Sequence, residues 1–231
     1  MLVKESNENY FMLKWLNKYI QDHKGFICGG CFKNIFNKEK VKDLDIFFLN
    51  RADFEDAVRY YDSQTVGYAL GVDRWVSDNE AAYTFLYENE NVKAYTDKNT
   101  GIRIELCCKI FGTPEEILNQ FDFTIAKFAY YKKEIKEQNN SVDNNSVNGD
   151  VSTDVEYKIL MHDKFFEHLH LKRLVTDDKI LFPMSTLERS YRYAEYGYFP
   201  CKETKLKIAD SIHQLTKMHL IVSDSLYRGL D

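Results

Sequence analysis

The segment from Gly25 to Phe48, GFICGGCFKNIFNKEKVKDLDIFF, constrains the fold more than any other part of the chain. It opens with a short apolar run that Gly29 and Gly30 stop, which is typical of a strand ending in a tight turn. The pattern then predicts a helical turn over 33–36 and a buried strand over 43–49. The chain therefore contains a unit of strand, glycine turn, helix and strand.

The second strand of this unit carries Asp43 and Asp45. Alternate residues of a strand face the same side, so the two carboxylates lie about 6–7 Å apart on one face, opposite apolar Leu44 and Ile46. Two neighbouring carboxylates repel each other unless a cation lies between them, and Mg²⁺ takes oxygen ligands and often holds substrate phosphates. The pattern predicts a site for Mg²⁺ (or Mn²⁺) at Asp43 and Asp45.

The glycine turn predicts a phosphate site beside these aspartates. Gly29 and Gly30 leave backbone N–H groups accessible, and they carry no Cβ that would block a phosphate. A helix that begins just after them adds a favourable dipole. Phosphate binding next to a metal is the minimum apparatus for moving a nucleotidyl group. The alternative is that the glycines form an ordinary turn and the aspartates an acidic pair without a ligand.

The segment also resembles the head of the nucleotidyltransferase superfamily (DNA polymerase beta-like fold), nearest to class II tRNA nucleotidyltransferases and bacterial poly(A) polymerases. That family has Gly-Gly, then x-Val-Arg-Asp, a Leu-Leu pair and Asp-x-Asp at this spacing, and Lys33-Asn34 replaces its Arg-Asp. Two further motifs follow in the family's order, QFDFTIAK at 120–127 and RSYRYAEYGY at 189–198.

The resemblance implies nucleotide-binding roles for residues of all three motifs: Gly29, Gly30, Lys33, Asp122, Arg189 and Arg192. The glycines and Lys33 would hold the β- and γ-phosphates. Asp122 would contact the nucleotide sugar or hold its loop. The two arginines would line the cleft from the helical side, unless one of them only pairs with a neighbouring glutamate.

Glu105 is the candidate for a third catalytic carboxylate. Ile104 and Leu106 share one face of a predicted strand and leave Glu105 on the other, polar face. The alternative is an exposed strand residue that pairs with Arg103 or a nearby lysine. Asp122 is the second candidate for this role.

The chain departs from the family where the incoming base is read. Phe182, Pro183 and Thr186 replace an acidic pair and an arginine, and Lys33 replaces an arginine that binds two oxygens at once. The middle motif lacks its Arg-Arg pair, and the family's C-terminal tRNA-holding helices are not found before Asp231. We therefore expect a small divergent member, of a kind encoded by bacteriophages.

The pattern of elements predicts an α+β fold, with a nucleotidyltransferase-type palm and mixed sheet followed by a small helical domain. We assign residues 1–137 to the catalytic domain. Residues 138–154 lack aromatic side chains and are predicted to form a flexible loop. Residues 155–231 would form the helical domain that completes the nucleotide cleft.

Composition narrows the classes of partner. No apolar run is long enough to span a membrane, so no membrane partner is expected. Five cysteines, an odd number, favour a reduced, cytoplasmic location, the host cytoplasm if the chain is viral. The formal charge of −5 argues against a basic coat for nucleic acid over the whole surface.

These features predict metal-dependent transfer of a nucleotidyl group from an NTP to an acceptor hydroxyl, with release of pyrophosphate. An RNA or tRNA 3′ end is the preferred acceptor, with a protein hydroxyl or small molecule as alternatives. Two other functions compete with this one: a catalytically inactive binding or structural protein of the same fold, and a toxin-like modifier of host tRNA or protein. The sequence does not determine which NTP is used, ATP being one candidate, and it does not determine the oligomeric state.

Overall fold

The computed structural model describes residues 3–6, 10–69, 74–135, 154–177 and 180–217. These residues form one mixed sheet of eight strands, two small sheets of two strands each, and several helices. The α+β class that the sequence predicts is confirmed. None of the helices in the described ranges combines the length and apolar character needed to cross a membrane.

The secondary structure follows the chain in short elements. The strands are β1 (Val3–Ser6), β2 (Phe26–Cys28), β3 (Asp43–Phe47), β4 (Gly67–Ala69), β5 (Arg74–Val76), β6 (Tyr83–Glu88), β7 (Val92–Asp97), β8 (Arg103–Cys107), β9 (Phe128–Ile135), β10 (Asp154–His162), β11 (Arg173–Leu174) and β12 (Phe199–Pro200). The α-helices are α1 (Asn17–Ile20), α2 (Cys31–Phe36), α3 (Arg51–Ser63), α4 (Pro114–Leu118), α5 (Phe165–His170), α6 (Pro183–Glu195) and α7 (Lys202–Lys217). Short 3-10 helices cover Phe11–Leu16 and Thr124–Ala126.

The large sheet has the strand order β1-β10-β9-β2-β3-β8-β7-β6. Strand β3 lies near its centre, antiparallel to β2 and parallel to β8, and the other neighbouring strands are antiparallel. The parallel pair is possible because the chain crosses from β3 to β8 through α3 and the β6–β7 hairpin. This crossover brings two distant segments side by side at the centre of the sheet.

The predicted unit of strand, turn, helix and strand is confirmed as β2, α2 and β3. All three residues of β2 are buried, and the chain leaves it through Gly29, whose φ is +102°. In β3, Leu44 and Ile46 are fully buried, whereas Asp43 and Asp45 on the other face are partly exposed. The alternation of polar and apolar residues therefore separates a core face from a functional face, as expected for a strand.

Aromatic rings connect the sheet to the helices on its core face. Phe128 of β9 lies 4.4 Å, between ring centroids, from Phe32 of α2 and 4.9 Å from Phe165 of α5. Such pairs add a specific geometric preference to the burial of a large apolar area. Some of the many aromatic residues of the sequence thus pack α5 against the same core as α2.

Strand β10 was not predicted, because the chain from residue 155 onward was expected to be helical. It pairs with β9 over eight residue pairs and continues the large sheet. Its residues alternate, with Tyr157 and Ile159 facing the main core and Leu160 the opposite face. The predicted loop at 138–154 lies outside the described residues, apart from Asp154, and the proposed domain boundaries stay a prediction.

His23 is buried where the first helices meet the central strands. Its Nδ1 accepts a hydrogen bond from the backbone N–H of Gly25 at 2.9 Å. Its ring centroid lies about 6 Å from the rings of Phe48, Tyr60 and Tyr61. Burial lowers the pKa of His23 to about 4, so the imidazole is neutral at neutral pH.

Stability should therefore fall as the pH drops below the ordinary histidine pKa. The folded-state pKa is depressed, so the unfolded chain binds more protons and stability is lost between about pH 6.5 and 4, by on the order of 3 kcal/mol. His23→Asn keeps an acceptor near the position of Nδ1 without this titration. Denaturant unfolding at neutral and acid pH should show a smaller acid loss for His23→Asn than for the wild type. Equal losses would mean that His23 does not titrate in this way.

Candidate active site

Three carboxylates meet at the centre of the sheet because of the register between β3 and β8. The parallel pairing sets Asp45 directly opposite Glu105 and Asp43 directly opposite Arg103. Neighbouring strands lie about 4.8 Å apart, and opposite residues of a parallel pair share a face. The structure thus places the predicted third carboxylate, Glu105, beside the aspartate pair, while its catalytic role stays a prediction.

The Arg103 guanidinium holds two of the three carboxylates. Its Nη2 donates to Oδ2 of Asp43 at 2.9 Å, and its Nε lies 2.8 Å from Oε1 of Glu105. The hydroxyl of Tyr87 donates to the same Glu105 oxygen at 2.9 Å. Glu105 therefore has the arginine partner that the alternative interpretation expected, and it also faces the aspartates.

Asp45 has no such partner. Within the described residues, its carboxylate makes no hydrogen bond and no ion pair at contact distance. Burial raises its pKa well above the usual range, and the charges of Glu105 and Asp43 raise it further against the opposing charge of Arg103. The negative charge at this point is therefore only partly compensated.

The oxygen donors of Asp43 and Asp45 are of the chemical type that a divalent metal ion prefers. Carboxylate oxygens are the ligands that Mg²⁺ and Mn²⁺ prefer, and a cation beside Asp45 would offset the repulsion that raises its pKa. In the present arrangement, no group of three or more His, Cys, Asp or Glu side chains in the described part of the chain converges as metal ligands. Asp43 and Asp45 are the residues that would hold the ion, with Glu105 opposite.

The carboxylates face a cavity of about 470 Å³, a volume typical of small-molecule sites. Eight of the nine predicted site residues line it: Gly30, Lys33, Asp43, Asp45, Glu105, Asp122, Arg189 and Arg192. The walls come from the sheet, from α2, from the segment before the second 3-10 helix and from α6. One cavity therefore collects residues of all three sequence motifs.

The ninth residue, Gly29, lies next to the Asp45 carboxylate. A Cβ at this position would lie 3.3 Å from the ring of Phe121 and 3.4 Å from Oδ2 of Asp45, and the φ of +102° is one that other residues rarely adopt. The neighbouring Gly30 has a φ of −69° and is the N-cap residue of α2, and a Cβ there would lie 3.5 Å from the Tyr193 hydroxyl, an ordinary contact.

The two glycines should therefore respond differently to alanine. Gly29→Ala combines a disfavoured φ with close contacts and should lower the free energy of unfolding by about 1–3 kcal/mol. Gly30→Ala is the matched control, and its effect on stability should stay below about 1 kcal/mol. Denaturant unfolding of both variants measures the difference. Similar losses in the two variants would contradict this account of the turn.

Lys33 reaches the cavity from α2, and its ammonium group already contacts neighbouring polar and charged side chains. The residue is buried, and its Nζ bonds to Oδ1 of Asn34 and lies 3.2 Å from Oε2 of Glu39. The same Nζ lies 4.7 Å from the centroid of the Tyr196 ring. A phosphate at Lys33 would therefore share the ammonium group with Glu39.

Asp122 and Arg189 form a buried ion pair across the cavity. The Nε and Nη2 atoms of Arg189 each lie 2.5 Å from Oδ2 of Asp122, and the two side chains are 10% and 3% exposed. The sequence suggested Glu188 or Glu195 as the partner of an arginine here, and the observed partner is Asp122. The pair ties α6 to the segment that carries the middle motif.

Breaking this pair should be costly because it leaves a buried charge uncompensated. Asp122→Ala should lower the free energy of unfolding by about 3–5 kcal/mol. The exposed pair of Arg51 and Glu55 on α3 is the matched control, and Glu55→Ala should cost less than about 1 kcal/mol. A loss for Asp122→Ala as small as that of the control would show that the pair does not stabilise the fold.

The positions that replace the family's base-reading residues lie away from the cavity lining. Thr186 is fully buried, and its hydroxyl donates to the backbone oxygen of Phe182 at 2.9 Å. Pro183 is the first residue of α6. Tyr193 and Tyr196 line the cavity instead.

The sequence does not point to two cavity residues, Tyr87 and Phe121, and it indicates Arg103 only as a possible partner of Glu105. Arg103 carries a sequence signal, since it lies two residues before Glu105 and therefore on the same face of the strand. Tyr87 and Phe121 have no comparable local signal, because only the sheet and the turn after β2 bring them to the carboxylates.

Comparison with known proteins assigns the chain to a family. The model of the Gabija anti-defense 2 family matches residues 6–172, well over half of the chain. The chain belongs to the Gabija anti-defense 2 family. A curated relative, "Gabija anti-defense 2" of Bacillus phage SPbetaL7, is 22% identical over 223 residues, which cover 92% of this chain and 43% of the relative. The chain thus spans less than half the length of this family member.

Solved structures of CCA-adding enzymes share the fold. The enzyme with ATP superposes with a TM-score of 0.55 at 13% identity, over 98% of this chain and 49% of that chain. The enzyme with CTP superposes with a TM-score of 0.54 at 13% identity, over 98% of this chain and 48% of that chain. The Thermotoga maritima enzyme in complex with tRNA superposes with a TM-score of 0.50 at 11% identity, over 98% of this chain and 49% of that chain. At this identity the likeness concerns the fold alone, and it confirms the predicted nucleotidyltransferase-type fold.

Proposed function

We propose that this chain transfers a nucleotidyl group from an NTP to an acceptor hydroxyl with the help of a divalent metal at Asp43 and Asp45. The observation that carries the proposal is the register that sets Asp45 opposite Glu105 on the wall of the cavity. Three carboxylates forced together on one face gain from a bound cation. The shared fold of CCA-adding enzymes supports the same reaction class by analogy.

The triphosphate would lie between the glycine turn and α6. Gly30 lines the cavity without a side chain that would exclude phosphate oxygens, and Lys33 and Arg192 bring positive charge to the cavity. Tyr196 offers a ring face on which a base could stack, next to the Lys33 ammonium. The Asp122–Arg189 pair positions α6, so its part in binding is mainly to hold this wall.

The transfer itself exchanges one phosphorus–oxygen bond for another. The acceptor oxygen forms a bond to the α-phosphorus while the bond from that phosphorus to the bridging oxygen of the β-phosphate breaks, and pyrophosphate leaves. A bound Mg²⁺ or Mn²⁺ supplies charge neutralisation for the phosphates. Asp43 and Asp45 orient the reacting groups, and Glu105 is the carboxylate that we assign to take the proton of the acceptor hydroxyl.

An RNA 3′ end, including that of a tRNA, is the acceptor class that we favour. The shared fold includes a CCA-adding enzyme in complex with tRNA. We further propose that the reaction serves to counter Gabija defence in the host cytoplasm, as the name of the family suggests. A protein hydroxyl and a small-molecule hydroxyl are the other outcomes of the acceptor test.

The experiment is transfer of label from each α-labelled NTP, with Mg²⁺ or Mn²⁺, to host RNA and to host lysate. Asp45→Asn removes a metal ligand and should reduce labelling by at least about 100-fold. The matched control is Asp78→Asn, since Asp78 is highly exposed and is not part of the cavity lining. Equal labelling by wild type and Asp45→Asn, or none with any NTP and acceptor, would overturn the proposal.

A second candidate function is binding without turnover. The ion pairs of Arg103 with Asp43 and Glu105 favour it, because they satisfy two carboxylates without a metal. The two functions differ in a host that carries Gabija defence. Protection of phage growth by wild type but not by Asp45→Asn supports transfer, and equal protection by both supports binding. Labelled host tRNA or protein together with growth arrest would indicate the toxin-like function.

A further inference from the structure

We infer that Arg103 is a built-in competitor of the metal ion: its guanidinium occupies Asp43 and Glu105, and a divalent ion that engages both aspartates must compete with it for Asp43. The inference rests on the proposed metal site and deepens it by naming what controls its occupancy. It predicts a site that binds metal weakly alone and more tightly together with a nucleotide.

The contacts show how Arg103 can both hold and release the carboxylates. Its Nη2 makes a well-formed hydrogen bond to Asp43 at 2.9 Å. Its Nε lies 2.8 Å from Glu105 but makes no hydrogen bond of proper geometry, although that atom is buried. The side chain as a whole is 43% exposed. The guanidinium therefore hydrogen-bonds to Asp43 and makes a close ionic contact with Glu105, with solvent beside it.

The charges explain why the competition matters. When all three carboxylates are ionised, as they are as ligands of a cation, they and the one guanidinium carry a net charge of about −2, which a single divalent ion would match. An ion at Asp43 and Asp45 must share Asp43 with the guanidinium or replace it. Because an arginine is not deprotonated in proteins, this competition persists at every physiological pH.

A nucleotide would shift the competition toward the metal. The phosphates of an NTP bring negative charge into the cavity that Arg103 also lines, and they offer its guanidinium another anionic partner. By linkage, a nucleotide that favours release of Arg103 also favours metal binding. Glu105 keeps its orientation during the exchange, because the hydroxyl of Tyr87 still donates to it at 2.9 Å.

The test is direct Mn²⁺ binding, measured by electron paramagnetic resonance, with and without a non-hydrolysable NTP analogue. Arg103→Gln should bind Mn²⁺ about tenfold more tightly than the wild type in the absence of nucleotide. The nucleotide should strengthen Mn²⁺ binding more in the wild type than in Arg103→Gln. Arg103→Lys retains the positive charge but cannot contact both carboxylates at once. Its affinity for Mn²⁺ should lie between that of the wild type and that of Arg103→Gln.

Lys42→Gln is the matched control, because Lys42 is exposed and lines the same cavity. Loss of this charge should change Mn²⁺ affinity by less than about threefold. Unchanged or weaker Mn²⁺ binding in Arg103→Gln, or equal tightening in Arg103→Gln and Lys42→Gln, would overturn the inference and leave the proposed function standing. Absence of Mn²⁺ binding in wild type and all variants, even with the nucleotide analogue, would overturn both.

Discussion

The parallel pairing of β3 with β8 is the constraint on which the site depends. It sets Asp45 opposite Glu105 and forces like charges together on one face of the sheet. The opposite face is apolar and fully buried, as at Leu44 and Ile104. Burial of such a side chain contributes about 1.5–3 kcal/mol, so the core face holds the strands in register against the repulsion on the polar face. The negative potential at the cavity wall is therefore a consequence of how the sheet packs.

Compensation of that charge organises the surroundings. Arg103 neutralises part of this negative charge through its ion pairs with Asp43 and Glu105. Asp45 has no such partner, and its pKa is raised by burial and by the neighbouring charges. Across the cavity, the buried pair of Asp122 and Arg189 holds α6 in place. Two groups of charged residues thus bound the cavity. The Asp122–Arg189 ion pair has a structural role, whereas the carboxylates around Asp45 are only partly compensated and could accept a cationic ligand.

Family membership and fold describe different aspects of this chain. The family is named for action against Gabija defence, whereas the fold is shared with CCA-adding enzymes at 11–13% identity. A fold of this kind hosts many functions, and the site decides among them. Thr186 is buried and is not part of the cavity lining, whereas the aromatic rings of Tyr193 and Tyr196 lie on the cavity wall. The cavity of this chain therefore carries the three carboxylates on the sheet wall and aromatic rings on the wall formed by α6.

Local patterns in the sequence determined the elements around the site. The glycine turn, the face shared by Asp43 and Asp45, and the capped start of α4 at Thr113 all follow from spacing and local backbone preference. The position of Glu105 on a polar strand face was predictable for the same reason. Only the tertiary structure decided that β10 joins the sheet, that Arg103 holds Asp43 across 60 residues, and that Arg189 pairs with Asp122 across 67. These contacts depend on which strands and helices become neighbours, and periodicity within one segment carries no information about that choice.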